Sequence, residues 1–182
     1  MFSDKRGKKV ILVAHCILNQ NAKLDECAHY PGAIREIIQL LLERGIGMIQ
    51  MPCPELIRLG LDRQADKSTS HTVQSEDTRI SRIMQEAEAQ KLCKKISEDI
   101  VYQVEEYQKN GFEVLGLLGI NGSPTCGVET TWADDHEFDG YGVLIKCLEE
   151  ELAQRNITLN MAGIKANDTC SAIETVQTLL AL

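Results

Sequence analysis

The chain has 182 residues, with 43% hydrophobic and 25% charged residues, which is the composition of an ordinary globular protein. We expect one domain over residues 1–182. The formal net charge is −8, and such a surface repels phosphate backbones, which argues against a nucleic-acid polymer as a partner. No segment approaches the roughly 20 apolar residues needed to cross a bilayer, which argues against a membrane protein.

The cellular compartment of the protein is predicted from its first residues and from its cysteines. The start, MFSDKRGKKVILVAHCIL, resembles a signal peptide, but its apolar run stops at His15 and no small-x-small cleavage site follows. We therefore expect a cytoplasmic protein. The chain contains seven cysteines, and in a reducing compartment this number favours metal binding or catalysis over disulfide bonds.

Strand-like and helix-like patterns alternate four times along the chain. Continuous apolar runs predict strands covered on both faces, and apolar residues at helical spacing predict the helices between them. A phase slip near Gln90 indicates two helices or a kink in one long helical stretch, and the spacing of Ser171 and Glu174 predicts a capping box for the last helix. The predicted elements are strand 9–18, helix 32–45, strand 46–53, loop 62–79, helical stretch 80–111, strand 112–120, helix 142–156, strand 157–164 and a final helix from 171.

This order predicts an α/β fold, with a Rossmann- or flavodoxin-like parallel sheet of four strands in the order 2-1-3-4. Right-handed crossovers would place helices on both faces of the sheet. Ligands of such sheets bind beyond the carboxyl ends of the strands, where the strand order reverses, which here lies between the first and third strands.

Three cysteines fall at the ends of three strands that are neighbours in this order. Cys16 closes the first strand in VAHCILNQN, Cys53 closes the second in QMPCPEL, and Cys126 follows the third in GINGSPTCGVE. Because neighbouring strands lie roughly 4.8 Å apart, three thiols at adjacent tips can converge on one object. Thiolates favour an iron–sulfur cluster, zinc or copper(I), and three ligands leave one position open for catalysis. Buried cysteine is also a common small hydrophobic residue, which is the alternative.

The remaining cysteines have weaker patterns. Cys93 and Cys147 lie on the apolar stripes of their helices and are expected in the core. Cys170 precedes the cap of the last helix, where a helix N-terminus would stabilise a thiolate, so it is a better candidate than Cys27 for a fourth contact with the site.

Two further groups near the thiols could move protons, Glu55 beside Cys53 and Ser123 near Cys126. Each also has an ordinary alternative, a solvated first-turn glutamate and a turn serine. Alternation along the strand places His15 on the face opposite Cys16. Two segments, 62–79 and 129–140, are expected to border the pocket, where Trp132 could stack on a flat heterocycle or serve packing alone.

The three motifs AHCILNQN, MPCPEL and GSPTCGV, in this order, resemble those of the thiouracil desulfidase family, and they most resemble a divergent branch of it. Two departures affect the loops around the pocket. This chain has CILNQN where the family usually has CLLG followed by a YDG-like turn, and LIRLGLDRQ where the family has a proline–arginine segment after CPE.

The resemblance implies that Cys16, Cys53 and Cys126 hold a 4Fe-4S cluster through three irons. The fourth iron would be free to take sulfur from a small thiocarbonyl compound such as a thiolated nucleobase or a similar heterocycle. Glu55 and Ser123 match the positions implied in catalysis, with Glu55 activating water in a non-redox, hydrolytic desulfuration. Oxygen attacks an exposed cluster, so an aerobic preparation can hold zinc, a fragment or nothing.

Three alternatives remain at this stage. A transfer-RNA sulfur transferase calls for a basic surface and an ATP-binding loop, and neither is visible in the sequence. A non-catalytic iron–sulfur or metal carrier, or a sensor, needs only the thiols. A cysteine-nucleophile hydrolase needs a histidine placed to activate a thiol, and none lies convincingly near Cys53 or Cys126. The sequence is also compatible with a homodimer.

Overall fold

A computed structural model describes residues 4–66, 68, 70 and 72–181 of the chain. The elements in these residues, in chain order, are β1 (Lys9–Ala14), α1 (His15–Leu18), a 3-10 turn (Gln20–Ala22), α2 (Arg35–Glu43), β2 (Gly47–Met51), α3 (Pro54–Leu59), α4 (Val73–Met84), α5 (Ala87–Lys109), β3 (Glu113–Ile120), β4 (Thr130–Ala133), β5 (His136–Asp139), α6 (Val143–Gln154), β6 (Met161–Ile164) and α7 (Thr169–Leu179).

A four-stranded parallel sheet in the order β2-β1-β3-β6 forms the centre of the fold. All residues of β1 after Lys9 are buried, as expected of a central strand covered on both faces. On the two faces, α2 packs against α7, and α5 packs against α6 and α3. The predicted α/β class, the strand order and the helices on both faces are confirmed.

The carboxyl ends of the sheet strands meet at one edge, and the chain continues from them into α1, into α3 and into the segment after β3. That segment contains a hairpin of β4 and β5, paired from Thr130–Asp139 to Ala133–His136, which the sequence did not predict as strands. Each strand of the hairpin has only four residues, and so short a run carries little alternation. The hairpin brings Trp132 and Glu137 to the carboxyl edge of the sheet.

The predicted loop 62–79 is wrong in its second half, because α4 begins at Val73. Its N-terminus is a capping box, in which Thr72 Oγ1 accepts from the Ser75 amide at 3.1 Å and Ser75 Oγ accepts from the Thr72 amide at 3.0 Å. The inward face of α4 carries several polar side chains, so its helical period is hidden from a hydrophobicity pattern. Its buried polar residues are Glu76, Thr78 and Ser81.

Other boundaries shift in ways that matter for the site. The two predicted helices of 80–111 are present, but they separate at Gln85 and Glu86 rather than near Gln90. The first strand ends at Ala14, so His15 begins a helical turn and the strand alternation that placed it opposite Cys16 does not apply.

The last helix starts earlier than the sequence predicted. Asp168 is its N-cap and accepts from the Ser171 amide at 3.1 Å, so the predicted Ser171–Glu174 capping box is wrong. None of the helices in the described residues combines the length and hydropathy of a membrane-spanning segment.

Candidate active site

A cavity of about 360 Å³ lies at the carboxyl edge of the sheet, and Cys16, Cys53 and Cys126 all line it. The structure thus brings together the three thiols that the sequence placed at adjacent strand ends. A larger depression of about 690 Å³, lined mainly by residues from α6 to β6, contains no cysteine. The thiols therefore single out the smaller cavity as the place for chemistry.

Two prolines present Cys53 to this cavity. Pro54 is the first residue of α3, where its missing amide is not needed, and Cys53 is the extended N-cap residue before it. The Cys53 sulfur accepts a long hydrogen bond from the Leu56 amide at 3.5 Å. The strand, the prolines and the helix start together fix the direction of this thiol.

Cys126 reaches the cavity because the loop after β3 folds back on its own strand. The amide of Ile120 donates to the Cys126 carbonyl oxygen at 2.9 Å, and a Cβ at Gly119 would overlap that oxygen. The Ser123 hydroxyl accepts from the amides of Thr125 and Cys126 at 3.2 and 3.1 Å. Ser123 therefore shapes the turn that carries Cys126, in addition to lining the cavity.

Burial raises the pKa of all three thiols, in the case of Cys53 to about 12. For Cys126 the neighbouring thiols Cys53 and Cys16 raise the pKa further, because negative charges at the three sulfurs would repel one another. In the described part of the chain, no group of three His, Cys, Asp or Glu side chains could hold a single metal ion.

The carboxylate of Glu55 is held in the same cavity by two side chains. Thr125 donates from Oγ1 to Glu55 Oε1 at 2.5 Å, and Arg63 donates from Nε to Oε2 at 3.3 Å. The Ser123 hydroxyl lies 3.2 Å from Thr125 Oγ1, so a chain of hydroxyl groups joins Ser123 to the carboxylate. The alternative of a solvated glutamate does not hold, because the Glu55 side chain is only 14% exposed.

Arg63 is a site residue that sequence reasoning missed. Its side chain is only 2% exposed, and besides Glu55 it donates to the carbonyl oxygens of Ala22 and Gly60, each at 2.7 Å. Its NH2 group also lies 3.9 Å from the Cys53 sulfur. Arg63 therefore ties the loop after β1 to the segment after α3, while its charge is balanced by the carboxylate of Glu55.

Replacing Arg63 with methionine should destabilise the protein strongly. The change removes a buried cation and leaves Glu55 as an unpaired buried carboxylate, and breaking such a pair costs about 3–5 kcal/mol. Urea unfolding of the two proteins measures this difference. Arg58→Met is the control, because Arg58 pairs with Glu88 at the exposed end of α5 and should lose less than about 1 kcal/mol. Equal losses in the two variants would contradict the structural role of Arg63.

Of the other four cysteines, Cys27 and Cys170 differ from the sequence prediction. Cys27 lines the cavity, whereas Cys170 is exposed in the first turn of α7 and does not, so the predicted preference for Cys170 is wrong. Cys93 is fully buried in α5, and Cys147 is half-buried in α6, as expected of packing residues.

Further walls of the cavity come from the segments 62–79 and 129–140, which the sequence predicted at its border. Trp132 lines it, and its Nε1 donates to Thr78 on α4 at 2.9 Å. Along one face of α4, Val73, Asp77 and Ile80 contribute to the lining. His15 also faces the cavity, and burial lowers the pKa of its ring, so the ring is neutral at pH 7.

The fold is similar to that of a solved structure of the [4Fe-4S]-dependent thiouracil desulfidase TudS. The TM-score is 0.50 at 15% sequence identity, and the match covers 96% of this chain and 99% of the other. The family resemblance predicted from the three cysteine motifs thus has its counterpart in the fold. No protein-family model matches the chain.

A curated relative extends the comparison to sequence. The uncharacterized protein MJ0003 of Methanocaldococcus jannaschii is 32% identical over 163 residues, which cover 90% of each chain. Similarity at this level over nearly the whole length indicates common descent, and the chain belongs to the same family as MJ0003.

Proposed function

We propose that this protein is an iron–sulfur-dependent desulfidase that removes sulfur from a small thiocarbonyl compound by hydrolysis. The observation that carries the proposal is the meeting of Cys16, Cys53 and Cys126 around one cavity that also holds the carboxylate of Glu55. The likeness of the fold to that of the desulfidase TudS supports it.

The residues of the cavity suit a 4Fe-4S cluster. Three thiols are the donors that such clusters use, and each would bind a different iron, so they need not approach as closely as the ligands of a single ion. When bound, a cluster with one iron free of protein ligands supplies a soft Lewis acid for sulfur.

The side chains of this chain supply the remaining functions. Glu55, held by Arg63 and Thr125, is placed to accept a proton from water that attacks the thiocarbonyl carbon. Ser123 completes the hydroxyl chain to the carboxylate and can hydrogen-bond the substrate. In the overall reaction C=S and H₂O give C=O and H₂S, so no electron enters or leaves.

The substrate we expect is a thiolated nucleobase or a similar heterocycle. A cavity of about 360 Å³ lies at the small end of the range for ligand sites and suits a single-ring compound. A nucleic-acid polymer does not suit the net charge of −8. All seven cysteines are free thiols, which is consistent with a reducing compartment, and we expect the reaction in the cytoplasm.

Anaerobic reconstitution with iron and sulfide tests the proposal directly. We expect four irons and four sulfides per chain, an iron–sulfur absorption spectrum, and release of sulfide from 2-thiouracil, 4-thiouracil or another thio-heterocycle. A reconstituted protein that binds the cluster but leaves every thio-compound unchanged would indicate a carrier or sensor. A protein that takes up no iron would contradict the cluster itself.

A further inference from the structure

Asp77 is a carboxyl group in the cavity to which the proposed reaction gives no role. It lies on α4 one helical turn after Val73 and one turn before Ile80, and all three side chains line the cavity. Its side chain is half-buried, and it has no hydrogen-bond or ion-pair partner among the described residues. A carboxyl group that lines a cavity and makes no hydrogen bond within the protein can bind a ligand there.

The surroundings of Asp77 favour its protonated form. Burial, together with the charges of Glu55 and Glu76 and against the opposing charge of Lys23, raises the pKa of Asp77 to about 7. Cys27 is also close enough for its pKa to respond to the charge of Asp77. The other titratable side chains that line the cavity are the thiols of Cys16, Cys53 and Cys126, and His15, His29, Arg63, Glu137 and Lys165.

We propose that the carboxyl group of Asp77 binds the ring edge of the substrate, where a ring N–H stands beside a ring C=O. This inference rests on the proposed function and adds the chemical class of the heterocycle. A neutral carboxyl group donates its O–H to the ring carbonyl and accepts the ring N–H at its own carbonyl oxygen, which makes two hydrogen bonds side by side. Heterocycles that lack a ring N–H beside a ring C=O can make at most one of them.

A second observation supports a ligand at this position. Trp132 lines the same cavity and is fixed to α4 by the hydrogen bond to Thr78, the residue next to Asp77. An aromatic side chain and a carboxyl group on one wall offer a flat surface and an edge, which are the two features of a planar heterocycle.

The test uses the reconstituted full chain and two probes, uracil and pyrimidine, which has neither a ring N–H nor a ring carbonyl. Binding is measured by calorimetry and by quenching of Trp132, the single tryptophan, at pH 6 and pH 8.5, where uracil stays neutral. In the wild type we expect weaker uracil binding at pH 8.5, because Asp77 then loses the proton that it donates.

Three variants separate the effects. Asp77→Asn keeps one donor and one acceptor but does not titrate, so uracil binding should persist and become independent of this pH change. Asp77→Ala should weaken uracil binding about 10- to 100-fold at pH 6, the effect of two hydrogen bonds, with a much smaller change for pyrimidine. Asp99→Asn, an exposed residue of α5, is the matched control and should bind like the wild type.

The pH dependence of protein stability tests the protonation of Asp77 without a ligand. A carboxyl group with a raised pKa in the folded state binds more protons than in the unfolded state, so it lowers stability as pH rises from about 4 to about 7. Asp77→Asn should therefore raise the Tm at pH 8.5 and change it little at pH 4.

The outcomes distinguish this inference from the proposed function. Uracil affinity that is equal in wild type and Asp77→Ala, or absent in the wild type, overturns the role of Asp77. Binding that depends on Asp77, in a protein that releases no sulfide from thio-compounds, overturns the desulfidase function and leaves the ligand site in place.

Discussion

Replacing Cys16, Cys53 or Cys126 with alanine should abolish incorporation of the cluster and leave a folded protein. Each residue would supply one of only three protein ligands, so the loss of one removes a third of the bonds that hold the cluster. Cys126 lies in the hydrophobic core and Cys16 packs against it, and removing one such sulfur costs only about 1 kcal/mol of packing. Iron and sulfide content after anaerobic reconstitution, together with circular dichroism, measures the two effects separately.

The control for this prediction is Cys93→Ala, because Cys93 is fully buried in α5 and does not line the cavity. It should keep its full iron content and lose only packing energy. Cys27→Ala is the stricter control, since Cys27 does line the cavity, and it should also keep the cluster. Loss of iron from Cys93→Ala as complete as that from Cys53→Ala would overturn the assignment of ligands.

The positions of the three thiols were predictable because they depend on topology. Alternating strands and helices fix a parallel sheet, and the carboxyl ends of its strands meet at one edge whatever the details of packing. Cys16, Cys53 and Cys126 each follow a strand closely, so an error of a few residues at a strand end still leaves them at that edge. The shift of Cys16 from the strand into α1 did not move it out of the cavity.

The side chains that organise the site were not predictable in the same way. Arg63 lies in a polar segment, where an arginine is ordinarily solvated, and only the turn at Gly60 brings it back under the loop after β1. Gly60 has a φ of 81°, which favours glycine. In the sequence, this glycine at the end of α3 is the sign that the chain reverses there. The position of Asp77 was not predicted, because the inward face of α4 carries polar residues and a polar segment without apolar periodicity predicts a loop.

Replacing Glu55 with glutamine should slow desulfuration by about 10² to 10⁴, the usual contribution of a positioned general base. Glutamine keeps the size of the side chain and an oxygen that can accept from Thr125, so the cluster should assemble normally. The structure adds a second effect, because the change removes the only charge paired with the buried Arg63 in the described residues. A loss of about 3 kcal/mol in the free energy of unfolding is therefore expected as well. Sulfide release under single-turnover conditions and urea unfolding give the two quantities.

The double variant Glu55→Gln, Arg63→Met separates the two roles of the carboxylate. It removes both members of the buried pair, so much of the stability lost in Glu55→Gln should return, since no unpaired charge remains. The rate should stay low, because no group has been restored that can take a proton from water. If the double variant regained both stability and turnover, Glu55 would serve only to neutralise Arg63. The proton acceptor would then have to be sought elsewhere in the cavity, with Asp77 as the next carboxyl group to test.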